Sequence, residues 1–128
     1  MAENPGIAAA QAFVAAFNAQ DHEALAATLN YPHVRLANNR FATTESAADF
    51  AERSRKGEPH LRAEGWDHTV LESAKVVHEG EGEDKVHVAL VMARHDKDGQ
   101  VYNRFDTFWI ATLEDGKWGI RFRSSFLR

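Results

Sequence analysis

Cysteine is absent from this 128-residue chain, and that one absence excludes disulfides, thiolate zinc sites and cysteine nucleophiles together. No apolar run approaches the ~20 residues that span a bilayer as a helix, so membrane integration is not expected. Basic side chains are in the minority. Fifteen Lys and Arg stand against nineteen Asp and Glu, a formal net charge of −4, which offers a nucleic-acid backbone no broad positive surface. Internal repeats, low-complexity tracts and an interdomain linker are lacking too. Met1 to Gly6 has neither the basic region nor the apolar stretch of a signal peptide, and the expectation is a cytoplasmic protein. The length is close to the commonest size of one compact domain, so residues 1–128 are read as a single domain with little room for a second, cofactor-holding one. What is present, 44% hydrophobic and 27% charged residues, is the balance of an ordinary soluble globular protein.

From Pro5 to Ala19 the residues Ile7, Ala8, Ala10, Phe13, Val14, Ala16 and Phe17 recur at helical spacing, with a proline where the first turn tolerates one. Asp21 can cap a second, short helix that ends by Asn30. Tyr31 to Ala37 alternates as a strand, Asn38-Asn39 is a turn pair, and Arg40 to Thr43 returns as a hairpin partner. A third helix, capped by Thr44 or Ser46, is expected to stop at Gly57. Four β-rich runs follow: Trp66 to His78, Lys85 to His95, Val101 to Leu113 and Lys117 to Phe126. They read as an antiparallel meander, and the acidic Glu79 to Asp84 stretch as a solvated hairpin loop. Helices first and strands afterwards give the α+β class, with helices covering one face of a curved sheet.

This order, together with Phe105-Asp-Thr-Phe-Trp-Ile110 and Asp115-Gly-Lys-Trp118 near the end, resembles the nuclear transport factor two-like (NTF2-like) superfamily, including its SnoaL-like branch. The likeness covers nearly the whole chain, which would then be a single SnoaL-like domain. It implies a cystatin-like roll: a cone-shaped, barrel-like curved antiparallel sheet packed against three N-terminal helices, with a deep pocket at the wide end. Members include isomerases, epoxide hydrolases, cyclases, dehydratases and proteins without chemistry, so the resemblance does not name an activity.

Asp106 is the first candidate for chemistry. It lies in phase with Phe108 and Ile110, the pair expected on the inner face, and an apolar site would raise its pKa until it could donate a proton. The matching strand of ketosteroid isomerases is similar here, with an Asp two residues before an inward Phe. Alternatively Asp106 bonds to Arg104 or Arg121 as a structural group. The isomerase base has no counterpart in Val34-Arg-Leu-Ala37, and the epoxide hydrolase set finds Ser124 where it needs a carboxylate. His33 and His68 are each a candidate general base, or an edge histidine bonded to a carbonyl. The histidines as a group lack metal-ligand spacing, so neither a metal nor any other cofactor is expected. Trp66, Tyr102 and Phe108 could line a ligand cavity or form plain core. On the last strand, burying Ile120 and Phe122 would turn Arg121 and Arg123 outward, unless a bulge sends one into the pocket.

Val91, Phe105 and Trp109 are expected on the outer sheet face, apolar enough for a homodimer to cover. Two functions stay open. One is cofactor-free acid/base chemistry on a hydrophobic carbonyl compound, with Asp106 as acid and His33 or His68 as partner, and with Trp66, Tyr102, Arg104, Phe108 and Ser124 around a small hydrophobic ligand. The other is a non-catalytic ligand-binding or dimeric assembly module.

Overall fold

A computed structural model describes residues 4–80, 82 and 84–127. Three helices, α1 (Pro5–Ala19), α2 (His22–Ala27) and α3 (Ala47–Ala63), and six strands, β1 (Leu29–Ala37), β2 (Arg40–Thr44), β3 (His68–Glu79), β4 (Lys85–His95), β5 (Val101–Glu114) and β6 (Lys117–Ser125), make one α+β unit. Each helix starts on a side chain that satisfies free backbone donors. Asn4 accepts from the N–H of Gly6 at 2.8 Å, Asp21 from Ala24 at 3.1 Å and Ser46 from Asp49 at 3.2 Å. Of the acidic loop expected between β3 and β4, Glu81 and Glu83 lie outside the described residues. No helix among the described residues is long and apolar enough to cross a membrane.

The strands form a single curved, unclosed sheet in the order β2-β1-β6-β5-β4-β3. The expected meander is there, but the sheet is not wholly antiparallel: β1 pairs with β6 in parallel. The chain leaves the β1–β2 hairpin through α3, runs the meander from the far edge, and returns beside β1 in the same direction. Gly119 permits that junction, because a Cβ there would lie 2.7 Å from Asn30 Oδ1.

The phase of β5 is opposite to the expectation. Phe105, Thr107, Trp109 and Ala111 are the buried set, facing Val88, Leu90 and Met92 of β4 in register on the same side. Trp109 is 2% exposed and meets the Phe13 ring of α1 edge-on at 4.8 Å. Phe108 and Ile110, with Asp106 in phase, therefore lie on the outer face. β5 is apolar on both sides, so alternation alone cannot choose; the helix that supplies Phe13 does.

α3 also departs from the reading, running through Gly57 and Pro59 to Ala63. Its C-terminal turn stays helical because Leu61 is held against the cavity wall and the Arg62 guanidinium lies 5.0 Å from the Trp66 ring. Trp66 precedes β3 instead of opening it.

Two glycine substitutions test this arrangement by chemical denaturation. Gly57→Ala, in a helix interior with nothing within 4 Å of the new Cβ, is expected to stabilise by about 0.5–1 kcal/mol. Gly119→Ala, which overpacks the parallel junction, is expected to destabilise by about 1–3 kcal/mol. A destabilising Gly57→Ala would mean that the helix ends there.

Candidate functional site

A cavity of about 400 Å3 lies between the three helices, the β1–β2 hairpin and the inner sheet face. Its apolar wall is Phe13 and Phe17 from α1, Leu25 from α2, and Phe50 and Leu61 from α3. Into this wall project Arg35, Arg53, Arg94 and Arg123.

Arg123 reaches the cavity because the β5–β6 register slips by one residue. Ile110 faces Phe122, but Ala111 faces Ile120, so Arg121 is the extra residue of a bulge. Ile120 and Arg123, three residues apart, both point inward as a result, and Arg123 sits opposite Trp109. The expectation that Arg121 and Arg123 both face outward is corrected for Arg123. Arg121 stays outside the cavity, its Nε donating to Pro32 O at 2.6 Å and its terminal nitrogen to Glu114 at 2.9 Å. Across the parallel junction Arg35 pairs in register with Arg123, so adjacent strands carry two guanidiniums to one wall.

The charge of these two groups is not balanced. Arg123 Nε donates to His33 Nε2 at 3.0 Å, and its guanidinium lies 4.9 Å from the Phe13 ring and 5.8 Å from Trp109. Burial first, then the charge of Arg35, pushes the Arg123 pKa down to about 9, so it is still cationic at neutral pH. Arg35 is lowered by burial and by Arg94, and its Nε has no hydrogen-bond partner. Among the described residues no carboxylate pairs with either. The acids on the wall are engaged elsewhere: Glu64 with Arg94 at 2.8 Å and Tyr102 at 2.6 Å, Glu58 with His22 at 2.9 Å.

His33, 1% exposed, is on this wall, but its ring is fully committed. Nδ1 lies 3.0 Å from Ile120 O, which only accepts, so the proton sits on Nδ1 and Nε2 is the acceptor for Arg123. Burial and the neighbouring Arg123 charge hold its pKa down at about 3. The ring is neutral and aims Arg123; its lone pair is not free to take a substrate proton.

The other sequence candidates are scattered. Asp106 is exposed on the outer face beside Val91. The two-point ion pair of Arg104 is with Glu72, at 2.7 and 2.8 Å, and not with Asp106 as the structural alternative had it. Tyr102 shares a shallow surface groove with them, its hydroxyl on Glu64. His68 bonds Asp67 at 2.8 Å and stacks on His95 at 4.6 Å, away from the cavity wall. Trp66 is core, edge-on to Phe17 at 5.2 Å with its Nε1–H on Thr69. Phe108 and Ser124 pair in register on the outer face. Only His33 of the named set borders the cavity. Nothing in the sequence pattern singles out Arg35 or Arg94, and the one signal for Arg123 is the bulge that turns it inward. Among the described residues no group of His, Asp and Glu is placed to hold a metal ion.

Comparison with known structures gives likenesses of fold. An NTF2-like protein with a cystatin-like fold from Novosphingobium aromaticivorans is 19% identical, with a TM-score of 0.70 over 93% of this chain and 77% of that one. A cystatin-like protein of unknown function from Nostoc punctiforme is 12% identical, with a TM-score of 0.74 over 95% and 87%. A ketosteroid isomerase-like protein from Erwinia carotovora atroseptica is 17% identical, with a TM-score of 0.62 over 94% and 91%. No curated protein matches the chain in sequence. The family described as NTF2-like protein (DUF6841) matches residues 8–123, and with the helix-lined cavity over a curved sheet this makes the chain a member of that NTF2-like family.

Proposed function

We propose that the chain binds a small amphipathic carboxylate, its acid group on Arg35 and Arg123 and its apolar part among Phe13, Phe17, Leu25 and Phe50. The observation that carries this reading is the pair of cavity-facing guanidiniums that have no counter-carboxylate among the described residues. Leaving an ion unpaired away from water costs several kcal/mol, and a carboxylate is matched to the planar donors of Arg. The volume of about 400 Å3 suits a compact ligand. An NTF2-like fold accommodates ligand-binding and isomerase-like proteins alike. Binding is favoured over proton transfer built on Asp106, because that carboxyl is exposed on the outer face and the His33 lone pair is occupied.

A thermal-shift comparison tests this. Benzoate is expected to raise the melting temperature by several degrees at saturation, corresponding to about 2.7 kcal/mol at roughly 100 times Kd, while neutral benzamide leaves it unchanged. Arg35→Met is expected to abolish the benzoate effect without destabilising the free protein, since it removes a poorly compensated charge and leaves no partner orphaned. Equal shifts from benzoate and benzamide would rule out anion recognition.

His33 makes a separate prediction about pH. Its folded pKa of about 3 lies below the unfolded value of 6.5, so between these limits the unfolded chain binds the proton and the folded chain does not. Stability must then fall as pH drops through that window, by up to about 1.4 kcal/mol per pH unit from this group. The carboxylates contribute to both proteins, so the informative quantity is wild type minus His33→Gln in denaturation from pH 7 to 4. Parallel curves would show that His33 titrates normally.

The apolar face left to a partner is the one away from α1, which carries Val91 but not Phe105 and Trp109. Val91, Phe108, Ile110 and Phe122 are half-buried on the side of the sheet away from α1, and we propose that a second copy of the chain covers them. Sedimentation at micromolar concentration is expected to find a dimer that Ile110→Glu dissociates; a wild-type monomer would refute it.

A further inference from the structure

The contact between α2 and α3 holds an arrangement that anion binding does not use. His22, the first residue of α2, keeps only 10% of its side chain exposed. It sits between two side chains of α3 that are four residues apart and so share a helix face. Its Nε2 lies 2.9 Å from Glu58 Oε1, and its Nδ1 lies 2.8 Å from Ser54 Oγ. The hydrogen bond to His22 is the main reason that the Glu58 carboxyl is held below its ordinary range; the other Glu58 oxygen faces Arg62 at 3.5 Å.

These contacts determine where the proton is. An ionised carboxylate only accepts, so the imidazole proton belongs on Nε2. Nδ1 then carries the lone pair, and the Ser54 hydroxyl donates to it. A serine hydroxyl on the bare nitrogen of an imidazole, with the other nitrogen held by an acid, is the arrangement that activates a weak nucleophile. Here the two ring nitrogens exchange places relative to the serine proteases, but the division of labour is the same. Ser54 and Glu58 both border the cavity, which places the serine beside the space a small molecule would occupy.

We propose that Ser54, His22 and Glu58 form a nucleophilic site that cleaves a small ester by acyl transfer. Ser54 Oγ bonds to the ester carbonyl carbon while its proton passes to His22 Nδ1 and the π pair moves onto the carbonyl oxygen. The pair returns, the bond to the alcohol oxygen breaks, and that oxygen takes the proton from Nδ1. A water molecule, giving its proton to the same nitrogen, then attacks the acyl-serine; the acid departs and Ser54 recovers its proton. Glu58 is a positioning residue, acting through the ring. The cationic wall of the cavity favours the charge that develops on the carbonyl oxygen, and the released acid is of the class proposed for Arg35 and Arg123. The Ser54 site shares the cavity with that reading but not its residues.

A fluorophosphonate, which has no carboxylate, reads the serine independently of the arginine pair. Its phosphorus is expected to be captured by Ser54 Oγ with loss of fluoride, seen as a mass adduct on the peptide containing Ser54. Ser54→Ala should abolish the adduct, and His22→Gln should slow its formation by roughly 100-fold or more. Asp106→Asn, outside the cavity, should label as wild type does. Hydrolysis of p-nitrophenyl acetate should follow the same order. Should His22→Gln fail to fold, Glu58→Gln still decides, because an amide that accepts from Nε2–H without the negative charge that supports the imidazolium should slow labelling and displace its pH profile. Absence of an adduct on Ser54 in folded wild type, or labelling that ignores both the His22 and the Glu58 substitutions, would overturn the proposal and reduce the trio to a tie between helices. A benzoate effect that fails while labelling persists would remove only the anion-binding reading.

Discussion

One extra residue in β6 determines the character of the cavity. If β5 and β6 paired without a slip, an inward Ile120 would require an outward Arg123, since residues three apart on a regular strand face opposite sides. The bulge at Arg121 breaks that parity. Ile120 remains in the core, Arg123 enters the cavity above Trp109, and Arg121 is released to tie Pro32 to Glu114. His33 depends on the same event. Its ring bridges Ile120 O and Arg123 Nε, so one histidine clamps the two residues that the bulge turns inward.

The cavity that results combines two opposing demands. Aromatic rings from α1, α3 and β5 surround the Arg123 guanidinium and supply favourable cation–π contact at 4.9 to 6.0 Å. The same rings displace part of the water that would otherwise solvate the charge. Arg94 answers this with Glu64, and Arg53 donates to Thr44 at 3.0 Å and is largely exposed. Among the described residues Arg35 and Arg123 have no such carboxylate, and the proposed anion-binding wall rests on this asymmetry. A few kcal/mol of latent instability is the usual accompaniment of a site organised for a ligand.

Between α2 and α3 the polar groups follow a different logic. There, every hydrogen-bonding atom of the His22 ring has a partner, and the partners differ in kind, one an acceptor and one a donor. That difference orders the proton along the line from Ser54 to Glu58. The arginine wall and the Ser54 line therefore border one cavity from two sides, one suited to hold negative charge and the other to move a proton.

Local chemistry made much of the fold legible from sequence. The limits of α1 and β4, the caps at Asp21 and Ser46, and the Asn38-Asn39 and Asp115-Gly116 turns, whose four residues all have positive φ, depend on neighbours a few positions away. Gly57 misled because a glycine stops a helix only where nothing beyond it rewards continuing, and Leu61, Arg62 and Trp66 do. The candidate site was legible only in His33. Asp106 and Trp109 exchanged faces because both sides of β5 are apolar, and the choice belonged to Phe13, almost a hundred residues away in the chain. Arg123 was hidden by a bulge, Arg35 by a parallel pairing, and the Ser54–His22–Glu58 line by the packing of two helices. Sequence by itself determined which segments are helices and strands, because capping, turn chemistry and periodicity act within a few residues. Only the tertiary structure decided which faces turn inward and which charges meet, because parity along a strand is relative until a distant partner sets it.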